Sequence, residues 1–225
     1  MEASIDEPQA LVIKDCALLA IATGKQAQDL RELRDHILTI HPDSLYFHFW
    51  GGLLHPRFEE REYNNDFAAW ARHQLHDKIL AERLSVVDPA AYADLEELRE
   101  ELVEIIEQRL DEREMLASVS ADQGFEFIRA QIVVFRTDRR FRRPEELAEN
   151  VGKLAIGSVF YHFIDARRRN DNRVDDFRNW LDSFQGRYEP VSRALSQIDP
   201  YFTSLTGVRA RLAEVFSQCL GVAHG

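Results

Sequence analysis

Two histidines and two aspartates recur in this sequence within the same short aromatic motifs. His48 lies in SLYFHF and His162 lies in SVFYHF, while Asp66 lies in NDFAAW and Asp176 lies in DDFRNW. Imidazole and carboxylate groups are ligands that iron, manganese and zinc use in proteins. Histidine also exchanges a proton near neutral pH. The pattern therefore predicts a candidate ligand or metal site built from these four side chains.

The same four residues also have a purely structural interpretation. Asp66 and Asp176 stand at the starts of predicted helices, where free backbone N–H groups and the helix dipole favour a carboxylate. A buried histidine that donates to a carboxylate or a carbonyl is satisfied without any metal. The serines that recur in the two motifs, Ser44 and Ser158, are interpreted as helix caps and not as nucleophiles, and no HExxH or ExxH spacing is present. We therefore assign no catalytic residue, and a metal-dependent or small-ligand enzyme is the alternative function.

The repeated motifs predict an internal duplication. His48 and His162 are 114 residues apart, and Trp70 and Trp180 are 110 residues apart. A shorter loop in the second copy explains the difference, and each copy spans about 100 residues, too long for a solenoid repeat. The predicted organisation is a flexible N-terminus (1–10), repeat 1 (11–118), a linker (119–124) and repeat 2 (125–221).

Hydrophobic spacing favours helices along most of the chain. They include a long helix that begins after Asn64, with Ile79 facing inward, and a helix over 205–220. Phe177, Trp180, Leu181 and Phe184 follow the i, i+3, i+4, i+7 pattern of an amphipathic helix. Residues 11–22 are apolar and compatible with a helix that ends at Gly24. Residues 125–135 are rich in Val and Ile, so a short strand is an option, but we assign a helix by analogy with repeat 1. The predicted fold is mainly α, with two tandem, pseudo-symmetric helical bundles of about five helices each.

Composition indicates a soluble globular protein of 225 residues with a net charge of −11. An acidic chain is a poor candidate for general nucleic-acid binding, which requires Lys and Arg to neutralise phosphates. No apolar run approaches the roughly 20 residues of a membrane span. The start MEASIDEP is acidic, unlike a signal peptide. We predict a cytoplasmic protein that binds neither nucleic acid nor membrane.

Arginines and tryptophans supply two further groups of candidate residues. Two basic clusters, RTDRRFRR and the triplet Arg167–Arg169, suggest an anion-binding site. The alternatives are a solvated face or salt links to the acidic helix near residues 94–114 of the other copy. The candidate anion-binding residues are Arg139, Arg140, Arg142 and Arg143. The tryptophans are candidate aromatic anchors, in the core or at an interface. They are Trp50, Trp70 and Trp180.

The motifs HF, NDFAAW and LAERL, followed by DP and LEELREEL, resemble an uncharacterised prokaryotic family known only as a domain of unknown function. The resemblance covers most of the chain and is best in the first copy. In the second copy Asp175 replaces the asparagine of NDF, and the LAERL element has degenerated to Ser192–Leu195. The resemblance implies relatives beside or fused to glycosyltransferases, and hence a link to carbohydrate metabolism. It supplies no catalytic residue.

These observations favour an accessory, regulatory or assembly module that acts on a protein partner. The aromatic motifs recur with serines that we interpret as helix caps and not as nucleophiles, and an anionic helix coexists with arginine clusters. A homo-oligomer is a further option. The candidate cofactor is a metal ion.

Overall fold

A computed structural model of the chain describes residues 9–54, 62–112, 119–201 and 203–221. Two long strands occur where the sequence predicts helices: β1 (Leu11–Ala27) and β2 (Phe125–Phe141). They pair as a two-stranded antiparallel sheet. The prediction of a mainly α fold with two helical bundles is therefore wrong, because the protein is a mixture of helices with this sheet. Residues 1–8 of the predicted flexible N-terminus lie outside the described residues.

Two threonine hydroxyl groups show the register of the sheet. Thr137 donates to the carbonyl of Ile13, and Thr23 donates to the carbonyl of Phe127, each at 2.6 Å. The start of each strand therefore lies beside the end of the other, as antiparallel pairing requires.

The strands were mistaken for helices because periodicity cannot classify a short run of apolar residues. Val, Ile and Thr favour extended backbone, and they make up five of the 17 residues of β2 but only four of the 17 of β1, where Leu and Ala are more numerous. In β2 the side chains of Phe125 and Phe127 are buried whereas Glu126 is exposed, which is the alternation of a strand. Gly24 does not end a helix but lies inside β1 with φ +73°, a conformation that glycine accepts without strain.

The helices occupy the rest of the described chain, and none of those described is both long and apolar enough to cross a bilayer. They are α1 (Leu30–Thr39), α2 (Pro42–Trp50), α3 (Asp66–His73), α4 (Lys78–Ser85), α5 (Leu95–Glu112), α6 (Pro144–Asn150), α7 (Ile156–Val159), α8 (Ala166–Arg169), α9 (Asp176–Asp182), α10 (Glu189–Ser196) and α11 (Leu205–Leu220). A π-helical segment, Phe160–Asp165, joins α7 to α8, and short 3-10 turns follow α2 and α6.

The predicted helix over 205–220 is confirmed with its bounds. The predicted long helix after Asn64 is instead two helices, α3 and α4. His76 adopts φ +56° between them, and Asp77 caps the second. Ile79, expected to face inward, is 47% exposed, because the break rotates α4 relative to the single-helix register.

The contacts divide the chain into two compact parts: a continuous unit (residues 18–132) and a split unit (residues 1–17 and 133–225). Both divisions fall inside a strand and not at the predicted linker, residues 119–124. The helices α1 to α5 therefore pack with the first part of β2, and the helices α6 to α11 pack with the first part of β1.

In the continuous unit, α5 organises the packing through two buried arginines. Arg109 binds Asp77 through two contacts, Nε to Oδ2 at 2.8 Å and Nη2 to Oδ1 at 3.1 Å. Arg99 donates to the carbonyls of Ile37 and Ile40 at the end of α1. The outer face of α5 is strongly acidic. In the split unit, α11 packs on α6, α7 and α10.

The caps of α3 and α9 differ in one functional group. Asn65 accepts from the backbone N–H of Ala68 at 2.8 Å, and its amide donates to the carbonyl of Leu84 at 2.9 Å. Asp175, at the matching position in DDFRNW, accepts from the N–H of Arg178 at 3.0 Å. Its other oxygen, Oδ2, is buried without a hydrogen-bond partner in the described part of the chain. Burial raises the pKa of Asp175 to about 6.

We expect Asp175→Asn to raise the free energy of unfolding by about 1–3 kcal/mol above pH 6. The pKa of Asp175 rises from 3.8 in the unfolded chain to about 6 in the folded protein. The folded state binds more protons between these values, so wild-type stability falls as pH rises from about 4 to 6. The stability of the variant does not fall over this pH range, because asparagine has no ionisable group. Chemical denaturation at pH 4 and pH 7.5 measures the difference.

The matched control is Asn65→Asp, which places a carboxylate at the equivalent cap. It should lower stability at pH 7.5 and do so much less at pH 4. A stability difference between wild type and Asp175→Asn that is the same at both pH values would contradict this account of the cap.

Candidate functional site

The first histidine–aspartate pair holds a strand. Nδ1 of His48 lies 3.0 Å from Oδ2 of Asp66, and the backbone N–H of Ile128 donates to Nε2 of His48 at 3.2 Å. A backbone N–H can only donate, so Nε2 carries no proton and Nδ1–H donates to the carboxylate. His48 is therefore a neutral, buried side chain that links α3 to β2.

Ser44 completes this attachment. It lies one helical turn before His48 on α2, and its hydroxyl donates to the carbonyl of Ile128 at 2.7 Å. Both backbone groups of Ile128 are thus bonded to side chains of one helix. A strand edge otherwise presents such groups unpaired. The SxxxH spacing therefore lets α2 act in place of a neighbouring strand.

The second pair makes the equivalent contacts in the split unit. Nδ1 of His162 lies 2.7 Å from Oδ2 of Asp176, and the backbone N–H of Lys14 donates to Nε2 of His162 at 2.8 Å. Lys14 and Ile128 are 114 residues apart, like the two histidines. His162 is buried within the π-helical segment. Each predicted pair thus comes together in its own unit, where it fixes the edge of a strand.

The tryptophans are interior residues. The indole N–H of Trp70 donates to the carbonyl of Gln123, and that of Trp180 donates to the carbonyl of Gln9, both at 2.8 Å. Both carbonyls lie two residues before a strand, so each indole fixes the entry into that strand. Trp50 is also buried. All three candidate anchors thus lie in the core.

Asp176 also forms an ion pair with Arg169. Nη2 of Arg169 lies 3.1 Å from Oδ2 of Asp176 and also donates to the carbonyl of Tyr161 at 2.9 Å. The guanidinium lies 3.8 Å from the centre of the Tyr161 ring. Burial acts to raise the pKa of Asp176, but hydrogen bonds from His162 and Asn170 and the charge of Arg169 outweigh burial and lower it.

The candidate anion-binding arginines lie at the end of β2 and the start of α6, and all four are exposed. Arg139 donates to the carbonyl of Lys153 at 3.0 Å, and Arg143 donates to Glu146 at 3.1 Å. The side chains of Arg140 and Arg142 make no hydrogen bond or ion pair within the described chain. The segment is thus partly engaged in local contacts and partly available to a partner.

A cavity of about 300 Å³ opens beside His48 in the continuous unit. The residues that line it are His48, Asp66, Ala69, Trp70, His73, Gln74, Gln123, Gly124, Phe125, Glu126 and Ile128. Sequence reasoning found His48, Asp66 and Trp70 but missed Gln74, Gln123 and Glu126, because these belong to no recurring motif.

The contacts of the histidines and aspartates limit the side chains available as metal ligands. Over the described ranges, no group of three or more His, Cys, Asp or Glu side chains is placed to hold a metal. A metal at His48 or His162 would have to displace either the aspartate or the backbone N–H that occupies its ring nitrogen. The metal site stays a prediction from the sequence.

The fold and the histidine contacts define a mixed α/β protein whose two long strands are held at their edges by helix side chains. The chain belongs to the family of unknown function DUF5752, which matches residues 8–217. The family resemblance seen in the sequence is thereby confirmed. A similar solved structure is that of OrfY from Thermoproteus tenax, 28% identical with a TM-score of 0.81, covering 94% of this chain and 95% of that one. No curated protein matches.

We expect His48→Phe to lower the free energy of unfolding by about 2–4 kcal/mol. Phenylalanine fills similar space among the surrounding aromatic rings, so the loss reports the hydrogen bonds to Asp66 and Ile128. Ser44→Ala should cost about 1–2 kcal/mol, because the buried carbonyl of Ile128 loses its donor. Urea denaturation gives both values.

Ser196→Ala is the control, because that exposed hydroxyl bonds only to its neighbours at the end of α10, donating to the carbonyl of Arg193 and accepting from the amide of Gln197. It should change stability by less than about 0.5 kcal/mol. Equal stability of wild type and His48→Phe would show that the histidine does not hold the strand.

Proposed function

We propose that the protein is an accessory module that regulates or assembles another protein, and that it binds an acidic surface of that partner through β2. The contact surface that we propose consists of Val134, Phe135, Arg136, Arg140 and Arg142, all in the split unit. We call it the β2 surface.

The exposure of the β2 surface carries this proposal. Consecutive residues of a strand point to opposite faces, and Val134 and Phe135 are 42% and 45% exposed. Each face of the strand therefore exposes part of an apolar side chain at this point. Val134, Arg136 and Arg140 share one face, and Asp138 between them is also exposed. Exposed apolar side chains bordered by charge are typical of interaction sites.

Charge indicates the chemistry of the partner. Three exposed arginines, Arg136, Arg140 and Arg142, stand near one exposed carboxylate, Asp138, in a chain whose net charge is −11. A basic surface favours an acidic surface on the partner. Arginine and aromatic residues are also frequent among the residues that dominate binding energy.

The histidine contacts support a role other than catalysis. Both ring nitrogens of His48 and of His162 are bonded to an aspartate and a strand. A general base must reach the proton of a substrate, and these nitrogens are already occupied. The family resemblance makes a glycosyltransferase the first partner to test, and we propose that both proteins act in the cytoplasm.

We expect the double variant Arg136→Glu/Arg140→Glu to weaken binding to the partner at least about tenfold, which corresponds to about 1.4 kcal/mol. The full chain is used to capture proteins from its own cells, and the captured protein is then purified and its Kd measured by calorimetry. Raising the salt concentration should also weaken the wild-type complex, because the attraction between exposed charges is screened.

Arg31→Glu is the matched control, since Arg31 is an exposed arginine on α1 and should leave the Kd unchanged. Val86→Glu tests an apolar side chain that is 75% exposed elsewhere. The β2 surface is not the binding site if the control variants weaken the complex as much as the double variant does. The same conclusion follows if the double variant leaves the Kd unchanged.

A further inference from the structure

We infer that the partner contacts the β2 surface with an extended acidic segment, which pairs with the outer edge of β2 as a third strand. The inference rests on the proposed function, because it concerns the same surface. It adds the conformation and the chemistry of the segment that binds there. The observations behind it are the direction of the backbone groups of β2 and the side chains around them.

The contacts of Ile128 show which backbone groups of β2 point away from β1. Its N–H donates to His48 and its C=O accepts from Ser44, so both groups face α2. In an antiparallel pair, residues with both groups toward the partner strand alternate with residues that have both groups away from it. The carbonyl of the neighbouring residue, Phe127, accordingly accepts from Thr23 of β1.

The same alternation extends along β2 to the β2 surface. The two threonine contacts that join the strands lie ten residues apart in both β1 and β2 (23 − 13 and 137 − 127). Neither strand therefore contains a net extra residue between these contacts. Positions 134 and 136 differ from 128 by an even number. The N–H and C=O groups of Val134 and Arg136 thus point away from β1, as those of Ile128 do.

The outer edge of β2 is open at Val134 and Arg136. Within the described ranges, β1 is the only strand that pairs with β2, and it lies on the opposite edge. No described group outside the sheet bonds to the backbone of either residue, in contrast with Ile128. Both residues are exposed. An open edge accepts an added strand, whose main-chain hydrogen bonds supply affinity while its alternate side chains supply specificity.

The side chains beside this edge select the sequence of the added segment. Arg136 and Arg140 lie on one face of the strand together with Asp138, and Phe135 lies on the other face. Side chains of an added strand lie next to those that they face, where opposite charges attract and like charges repel. We therefore expect carboxylates beside the two arginines and a neutral residue beside Asp138. Apolar residues are expected at the alternate positions, where they cover Phe135.

Calorimetry with a short peptide tests the chemistry of the segment. The probe is the heptapeptide Glu-Val-Thr-Val-Glu-Val-Thr, acetylated and amidated at its ends so that only the glutamates are charged. We expect it to bind at least about tenfold more tightly than the same peptide with lysine in place of glutamate. The Arg136→Glu/Arg140→Glu variant should reverse this preference.

Methylation of the peptide backbone tests the strand pairing. The N–H groups of alternate residues in a strand point to opposite edges. One form of the peptide carries N-methyl groups on two valines, and the other carries them on one glutamate and one threonine. We expect one form to bind at least about tenfold more weakly while the other keeps its affinity. Binding through side chains alone would not distinguish the two forms.

Amide hydrogen exchange, measured by NMR, locates the pairing on the protein. The N–H groups of Val134 and Arg136 should exchange quickly in the free protein and slowly when the peptide is bound. The N–H of Phe135 faces β1 and should be protected in both states.

Two proline variants connect the binding to the edge. Val134→Pro removes an outward N–H and no hydrogen bond to β1, so it should weaken peptide binding at least about tenfold. Ala22→Pro is the matched control in the continuous unit. Ala22 is exposed and lies eight residues after Lys14, whose N–H also points away from the sheet. This variant should leave the Kd of the peptide unchanged. Thermal unfolding checks that both variants are folded.

Equal affinity of the two methylated peptides would overturn the inference. So would the absence of new protection at Val134 and Arg136, or of any peptide binding at about 1 mM. A captured partner whose Kd responds to Arg136→Glu/Arg140→Glu but not to Val134→Pro would leave the proposed function standing without strand addition. If Val134→Pro does not fold, the methylated peptides and the amide exchange of the wild-type protein decide.

Discussion

Both strands of a two-stranded sheet are edge strands, and this constraint determines most of the structure. Each strand presents backbone N–H and C=O groups that no third strand of the described chain pairs, and leaving such a group buried and unpaired costs about 1–3 kcal/mol. Helix side chains bond to three of these groups. His48 and Ser44 bind both groups of Ile128, and His162 binds the N–H of Lys14. The aspartates fix the histidine tautomer that makes this possible.

This arrangement separates the recurring residues from the ones that we propose bind a partner. The histidines, aspartates and tryptophans that recur in the sequence are used to attach helices to strands. The proposed β2 surface instead consists of residues that do not recur at the matched position, such as Phe135. A residue that holds the fold must be satisfied in both units, whereas a binding residue is free to differ between them. We therefore propose that the functional residues are those that differ between matched positions of the two units.

The sequence predicted the helical segments and the four histidine and aspartate residues, because amphipathic spacing and repeated motifs are local signals. It also supplied the structural interpretation of a buried histidine that donates to a carboxylate. It failed at 11–27 and 125–141, where apolar runs fit a helix or a strand and only the long-range pairing decides. The cavity could not be predicted, because its lining joins residues 48–74 to 123–128 through the position of β2. Arg169 stood in a recognised basic cluster, but its contact with Asp176 depends on the fold.

The central claim is that His48 and His162 accept a hydrogen bond from a strand, and the protonation of their imidazole rings tests it most directly. Nitrogen-15 NMR of histidine-labelled protein near pH 7, with each signal assigned by its His→Phe variant, distinguishes the two ring nitrogens. We expect both residues to be neutral, with the proton on Nδ1 and none on Nε2. A proton on Nε2 of either residue would mean that it cannot accept from the strand and would contradict the account.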